Sequence, residues 1–184
     1  MNPLTFSTGR ALLDAQAILA RAKLTVGMTY ADFGAGMLGH FAFPAARIVG
    51  DTGRVYAVDI LKNVLESIAS TAGMLGVTNV TTVWGNIEKL NGVGIASSTV
   101  DVVSLVNLSE AIMRSNVPGE EAVRVLRPHG KLLVVGWDPK ANIGPSTQTQ
   151  VAATDIETCL HATGFKTLET FQAGRYHWGI LFEK

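Results

Sequence analysis

The chain has 184 residues, 47% hydrophobic and 16% charged, with 15 basic residues balancing 15 acidic ones. That length supports one well-buried core and leaves nothing over for a separate substrate domain, so residues 1–184 are expected to form a single domain with 1–26 as a helical lead-in. Zero formal charge excludes a global field for holding nucleic acid, and the lone cysteine, Cys159, excludes an intrachain disulfide and a zinc thiolate cluster. A reducing, cytoplasmic compartment is the expectation. The amino terminus lacks the pattern of a signal peptide, and no run approaches the roughly 20 apolar residues of a membrane span, so a soluble protein is expected.

Taken in chain order, Leu12, Ala15, Leu19 and Ala22 recur at helical steps and mark an amphipathic helix running to the Val26-Gly27 turn, expected to cap one edge of a ligand site. A strand at Thr29 to Phe33 leads to a glycine turn and then a helix to Val49. Pro44 places the start of that helix near Phe41 or later, because an interior proline lacks the amide proton the helix needs. Arg54 to Asp59 is the second strand. Val64, Ile68, Ala72 and Leu75 then trace one helical face up to a stop at Gly76.

The third strand is Asn79 to Trp84, and a Gly/Ser-rich loop from Asn91 to Ser98 precedes the fourth, Val100 to Val106. A helix ending near Leu126 leads to the turn Arg127-Pro128-His129-Gly130, and Lys131 to Trp137 is the fifth strand. Asp138 to Thr149 reads as a surface loop, followed by a helix to about Thr163. Gly164-Phe165 opens a strand to about Phe171, Gly174 turns the chain, and Tyr176 to Phe182 closes it. The pattern predicts an α/β fold: a Rossmann-like, seven-stranded sheet, mostly parallel with an antiparallel C-terminal hairpin, and helices on both faces.

The glycine turn carries the most chemistry. Gly34-Ala35-Gly36-Met37-Leu38-Gly39 follows the first strand, and Asp59 ends the second. Glycines at the mouth of a parallel sheet let a ligand touch the backbone, and an acid closing the next strand accepts hydrogen bonds from a ribose diol. An adenosine-containing cofactor is predicted. The spacing alone also satisfies the dinucleotide fingerprint, but a carboxylate at Asp32, two residues before Gly34, disfavours a pyrophosphate and suits a cation.

Asp32-Phe33-Gly34-Ala35-Gly36, Asp59, Gly85-Asn86-Ile87-Glu88, Asp101 to Asn107, Leu126-Arg127-Pro128-His129-Gly130-Lys131 and Gly164-Phe165 together resemble the class I S-adenosylmethionine-dependent methyltransferases over nearly the whole chain. The closing Ala173-Gly174-Arg175-Tyr176-His177-Trp178-Gly179 is similar to that of small bacterial methyltransferase-domain proteins related to quinone-type methylases. One departure is that Leu38 stands where the family's third glycine falls, with Gly39 one residue later. The resemblance implies S-adenosylmethionine as cofactor, S-adenosylhomocysteine as product and a small-molecule acceptor.

The candidate cofactor residues are therefore Asp32, Gly34, Ala35, Gly36, Gly39, Asp59, Ile60, Asn86, Ile87 and Asn107. Ile60 and Ile87 can sandwich an adenine ring, although both residue types are also ordinary core. Asn86 is placed by the resemblance against the adenine amino group, and as a turn residue by propensity alone. Asp59 can equally cap the following helix. Asn107 ends the fourth strand, where ligands sit in open α/β sheets. It is followed by Leu108-Ser109-Glu110 and not by the Pro-Pro-aromatic segment of methylases acting on nucleic-acid bases.

His40, His129, His161 and His177 show no ligand spacing, so no metal site is expected. Cys159 and His161 face different ways on a helix, and Cys159 is expected in the core. Trp137, Arg175, Tyr176 and His177 receive no catalytic assignment; His40 and His177 are the near-neutral titrators available to an acceptor that needs a base. Two further readings stay open: a small NAD(P)-dependent oxidoreductase, and a non-catalytic methyltransferase-like partner subunit. A homo-oligomer is compatible with all three.

Overall fold

Apolar runs bounded by glycine turns become strands stacked into one sheet, and the amphipathic segments between them become its covering helices. The computed structural model describes residues 12–141 and 150–184. In chain order these form α1 (Ala15–Arg21), β1 (Thr29–Phe33), α2 (Ala42–Val49), β2 (Arg54–Asp59), α3 (Lys62–Leu75), β3 (Val80–Trp84), β4 (Val100–Val106), α4 (Ser109–Arg114), α5 (Val117–Val125), β5 (Leu126–Trp137), α6 (Ala153–His161), β6 (Lys166–Gly174) and β7 (His177–Glu183). The sheet runs β3-β2-β1-β4-β5-β7-β6. Its first five strands are parallel, and β7 lies antiparallel to both β5 and β6. This is the Rossmann-like seven-stranded arrangement with a closing hairpin that the sequence predicts.

Strand periodicity divides the interior in two. Tyr30, Val55, Ala57, Val102, Leu133 and Leu181 point to one face and pack with α1, α2 and α3. Ala31, Phe33, Val58, Val103, Leu105, Val134 and Phe182 point to the other and pack with α4, α5 and α6. Burial on both faces explains why the central strands are continuously apolar.

Local chemistry sets the ends of the helices. Asp14 caps α1, its carboxylate accepting the Ala17 N–H at 3.1 Å. Pro44 sits in the first turn of α2, where no amide proton is required of it. Gly76 ends α3 in the left-handed region, φ +65°. The Asn79 side chain donates to the Ala46 and Gly50 carbonyls at the end of α2, which holds it just outside β3.

Four expectations change. Leu75 is 53% exposed, and Leu65 takes its place on the buried face of α3. The single helix expected before Leu126 is two, because the chain is extended at Ser115 and Pro118 is tolerated only in a first turn, so a new helix begins at Val117. Arg127 to Gly130 is not a free turn but a bulge within β5, between the pairings Val100↔Leu126 and Val102↔Lys131. Finally, α1 packs against α2 and lines no part of the cavity described below. Residues 1–11 of the expected helical lead-in and 142–149 of the expected surface loop lie outside the described residues.

Candidate functional site

The turn after β1 is built on positive φ angles: +76° at Gly34, +65° at Gly36 and +55° at Gly39. A side chain is strained at each, and a Cβ on Gly39 would also come within 2.8 Å of the Phe43 ring. The turn is bound to the end of β2. Gly34 and Ala35 both donate their N–H to the Val58 carbonyl, at 2.8 and 3.0 Å. Gly36 donates to Asp59 Oδ2 at 3.3 Å, and Leu61 donates to Asp59 Oδ1 at 3.0 Å. Asp59 thus joins the turn to the start of α3 while staying half-buried.

A cavity of about 430 Å³ opens at the carboxyl ends of the parallel strands. Gly34, Asp59, Ile60, Asn86, Ile87 and Asn107 line it, which brings six of the ten candidate residues together. Asn107 holds φ +57°, a conformation asparagine tolerates, with its N–H on the Val135 carbonyl. Asn86 closes its own turn: its Oδ1 accepts the Glu88 N–H at 2.9 Å, and its N–H donates to the Gly92 carbonyl. That turn is held from outside by Glu121, fully buried, which accepts the Asn91 N–H and pairs with Arg124 at 2.8 Å. Arg124 in turn donates to the Val93 and Ile95 carbonyls.

The other four candidates stand behind the cleft. Gly36 and Gly39 shape the turn, and Ala35 is buried in the core beside α2. Asp32 is 2% exposed and points away from the cavity, because alternation along β1 turns it to the same face as Tyr30. There it accepts the Ser104 hydroxyl at 2.8 Å and the Ala42 N–H at the start of α2. Burial pushes its carboxyl up to about 6, against the lowering effect of those two hydrogen bonds, and the nearby Asp59 adds to the rise. The acid that argued for a cation therefore supports the turn from beneath.

The rest of the lining is Gly85, Glu88, the Leu108 to Ala111 stretch, Arg114, Trp137, Gln150 and Val151. Sequence reasoning missed most of these. The available signal was position, since α4 begins at the carboxyl end of β4, where side chains reach a ligand. Trp137 lines the cavity, whereas Arg175, Tyr176 and His177 do not. His177 is 2% exposed, packed at a tilt of 39° against Trp137 with ring centroids 4.0 Å apart, and burial lowers its pKa. His40 donates its Nε2–H to the Leu13 carbonyl, 3.0 Å away, outside the cavity. Cys159 is half-buried, with its thiol 3.7 Å from the Met113 sulfur. Among the described residues no cluster of three His, Cys, Asp or Glu side chains is arranged to hold a metal, and no helix is long and apolar enough to cross a membrane.

The fold recurs in solved structures. A SAM-dependent methyltransferase from Aquifex aeolicus superposes with a TM-score of 0.86 at 23% identity, covering 94% of this chain and 90% of the other. A SAM-dependent methyltransferase from Methanosarcina mazei gives 0.72 at 15% identity, over 91% and 96%. A geranyl diphosphate methyltransferase in complex with SAM gives 0.72 at 14% identity, over 92% and 83%. No curated protein matches the sequence. Residues 24–175 match the family described as "Methyltransferase domain", a span that takes in the glycine turn, Asp59, the whole described cavity and the strands that carry it. The chain belongs to the methyltransferase-domain family.

Proposed function

We propose that the chain, acting as one domain, transfers a methyl group from S-adenosylmethionine to a small or medium-sized acceptor and releases S-adenosylhomocysteine. The observation that carries this reading is Asp59 on the wall of the cleft. Its two oxygens each accept one backbone N–H, from Gly36 and Leu61. A carboxylate has about four acceptor positions, so capacity remains for a ribose diol. Helix-end bonding and ribose binding are therefore compatible roles of the same side chain.

In this reading Ile60 and Ile87 flank the adenine ring, Asn86 offers its remaining amide protons to the ring edge, and the Gly34 to Gly39 turn follows the methionine tail. Asn107 lies at the end of β4, beside the reacting centre. Asp32 acts indirectly, by fixing Ser104 and the first turn of α2 under the glycines. The bound cofactor supplies an activated methyl group on a good leaving group. The protein's task is to align the acceptor and exclude water, for which the cleft walls suffice without an obligatory base. Three carboxylates in the lining, Asp59, Glu88 and Glu110, favour a sulfonium over a pyrophosphate, which speaks against a dinucleotide. The lone unpaired thiol, Cys159, supports a cytoplasmic setting, and the balanced charge gives nucleic acid no general hold.

Thermal melts with S-adenosylmethionine, S-adenosylhomocysteine and NAD test the reading, since a ligand at a hundred times its dissociation constant stabilises by about 2.7 kcal/mol. A response to the first two is expected. A response to NAD alone would favour an oxidoreductase, and none at all a non-catalytic subunit. Asp59→Ala is expected to weaken S-adenosylhomocysteine binding by about 1 to 3 kcal/mol in calorimetry, since it removes the charged acceptor.

A further inference from the structure

The cleft continues past Gly34 and Asn107 along α4 to Trp137 and Val151. We infer that this far end is the acceptor subsite and that it takes an organic amine with an apolar or aromatic flank. The inference rests on the methyl-donor reading of the near end.

Charge is the first argument. The cleft's single described cation is Arg114, and its guanidinium already donates to Glu88 at 2.9 Å. Glu110 lines the same wall, exposed, and among the described residues it has no ion pair or hydrogen bond. An anionic acceptor would have to displace Glu88 from Arg114 and sit beside Glu110. A cation meets an unspent carboxylate.

Ser109 is the second argument, and it is independent of charge. It is 8% exposed and lines the cleft, yet its hydroxyl is buried without a hydrogen-bond partner. The oxygen fits only because residue 136 is glycine: a Cβ there would lie 2.6 Å from it. A buried hydroxyl left unmatched is unusual in a folded protein, and rotation of the Ser109 side chain toward the cleft would let a ligand N–H supply its missing donor. Trp137 is the third argument. Trp137 is half-buried, its ring against His177, and it lines the cleft, where an aromatic side chain can attract an ammonium group. Leu108 and Val151 complete an apolar flank. Together they provide a carboxylate and a hydroxyl for the N–H groups and a slot for the carbon skeleton.

A matched set of probes tests the inference: 2-phenylethylamine, 2-phenylethanol and 3-phenylpropionate, titrated by calorimetry into the protein saturated with S-adenosylhomocysteine. The amine is expected to bind about tenfold more tightly than the alcohol, and the anion most weakly. Glu110→Gln is expected to bring amine and alcohol within about twofold of each other. Ser109→Ala is expected to lower amine affinity about fivefold. Glu88→Gln, by freeing Arg114, is expected to make the propionate bind. Equal binding of amine and alcohol by the parent protein, preference for the anion, or selectivity untouched by Glu110→Gln and Glu88→Gln would each overturn the amine assignment. Failure of S-adenosylhomocysteine itself to bind the parent protein would instead remove the donor reading beneath it.

Discussion

The two ends of the parallel strands differ in how completely their polar groups are used. At the amino ends, Asp101 accepts the Thr29 N–H and pairs with Arg127, both at 2.7 Å. Lys131 reaches the Ala22 carbonyl at 3.1 Å, so the shallow hollow of about 180 Å³ there is walled by groups that already have partners. At the carboxyl ends, Ser109 has no partner, Glu110 is unpaired among the described residues, Asn107 is left-handed, and Asp59 keeps spare acceptor capacity. The same sheet thus spends its polar groups on structure at one edge and leaves several of them unspent at the other. Unspent hydrogen-bonding capacity, more than cavity size, distinguishes the edge proposed to meet a ligand.

The largest expected effect comes from the clamp behind the cleft. Glu121 is fully buried and ties Arg124 to the Asn91 turn, so Glu121→Ala leaves a half-buried guanidinium without its counterion and is expected to cost about 3 kcal/mol in urea denaturation. A loss below 1 kcal/mol would mean that the turn carrying Asn86 is held by other contacts.

Next comes Asp32. Its carboxyl is raised from 3.8 to about 6 in the folded protein, so the fold takes up a proton that the unfolded chain does not hold in that range. The contribution is fully present below pH 4 and is lost as pH rises through 6, amounting to about 3 kcal/mol at most. Asp32→Asn abolishes this dependence, so the variant should gain stability relative to the parent protein as pH rises from 4 to 7. Parallel stability curves would show that Asp32 titrates no higher in the fold than in the unfolded chain.

The smallest effect is expected at the opposite edge. Arg127→Ala removes an ion pair whose arginine is 50% exposed, so stability should change by less than about 1 kcal/mol. Cofactor affinity should not change at all. A loss of S-adenosylhomocysteine binding in that variant would break the division between the two edges.

The sheet was legible because hydrophobic runs, glycine turns and Asp59 all act locally: β1, β2 and β4 fall at Thr29–Phe33, Arg54–Asp59 and Val100–Val106 as read. Gly34, Asp59, Asn86 and Asn107 were legible in the site because strand ends in a parallel sheet converge on one edge. What escaped the sequence depends on facing and partnership. Asp32 could be recognised as an acid near the turn, but only the alternation of β1 decides that it turns inward to Ser104. Ser109 was read as the absence of a motif, and its unmatched hydroxyl emerges only once Gly136 on β5 is seen beside it. The single helix expected before Leu126 took no account of Pro118, which fits only a first turn and so requires the break at Ser115.

Whether the carboxyl edge alone binds ligand can be read from backbone amide resonances followed while S-adenosylhomocysteine is added. The largest shifts are expected at Gly34, Gly36, Leu61 and Asn86, with Thr29, Val102 and Lys131 unmoved. Shifts centred on the Asp101 and Lys131 hollow, or a titration that perturbs neither edge, would contradict binding at the carboxyl edge alone.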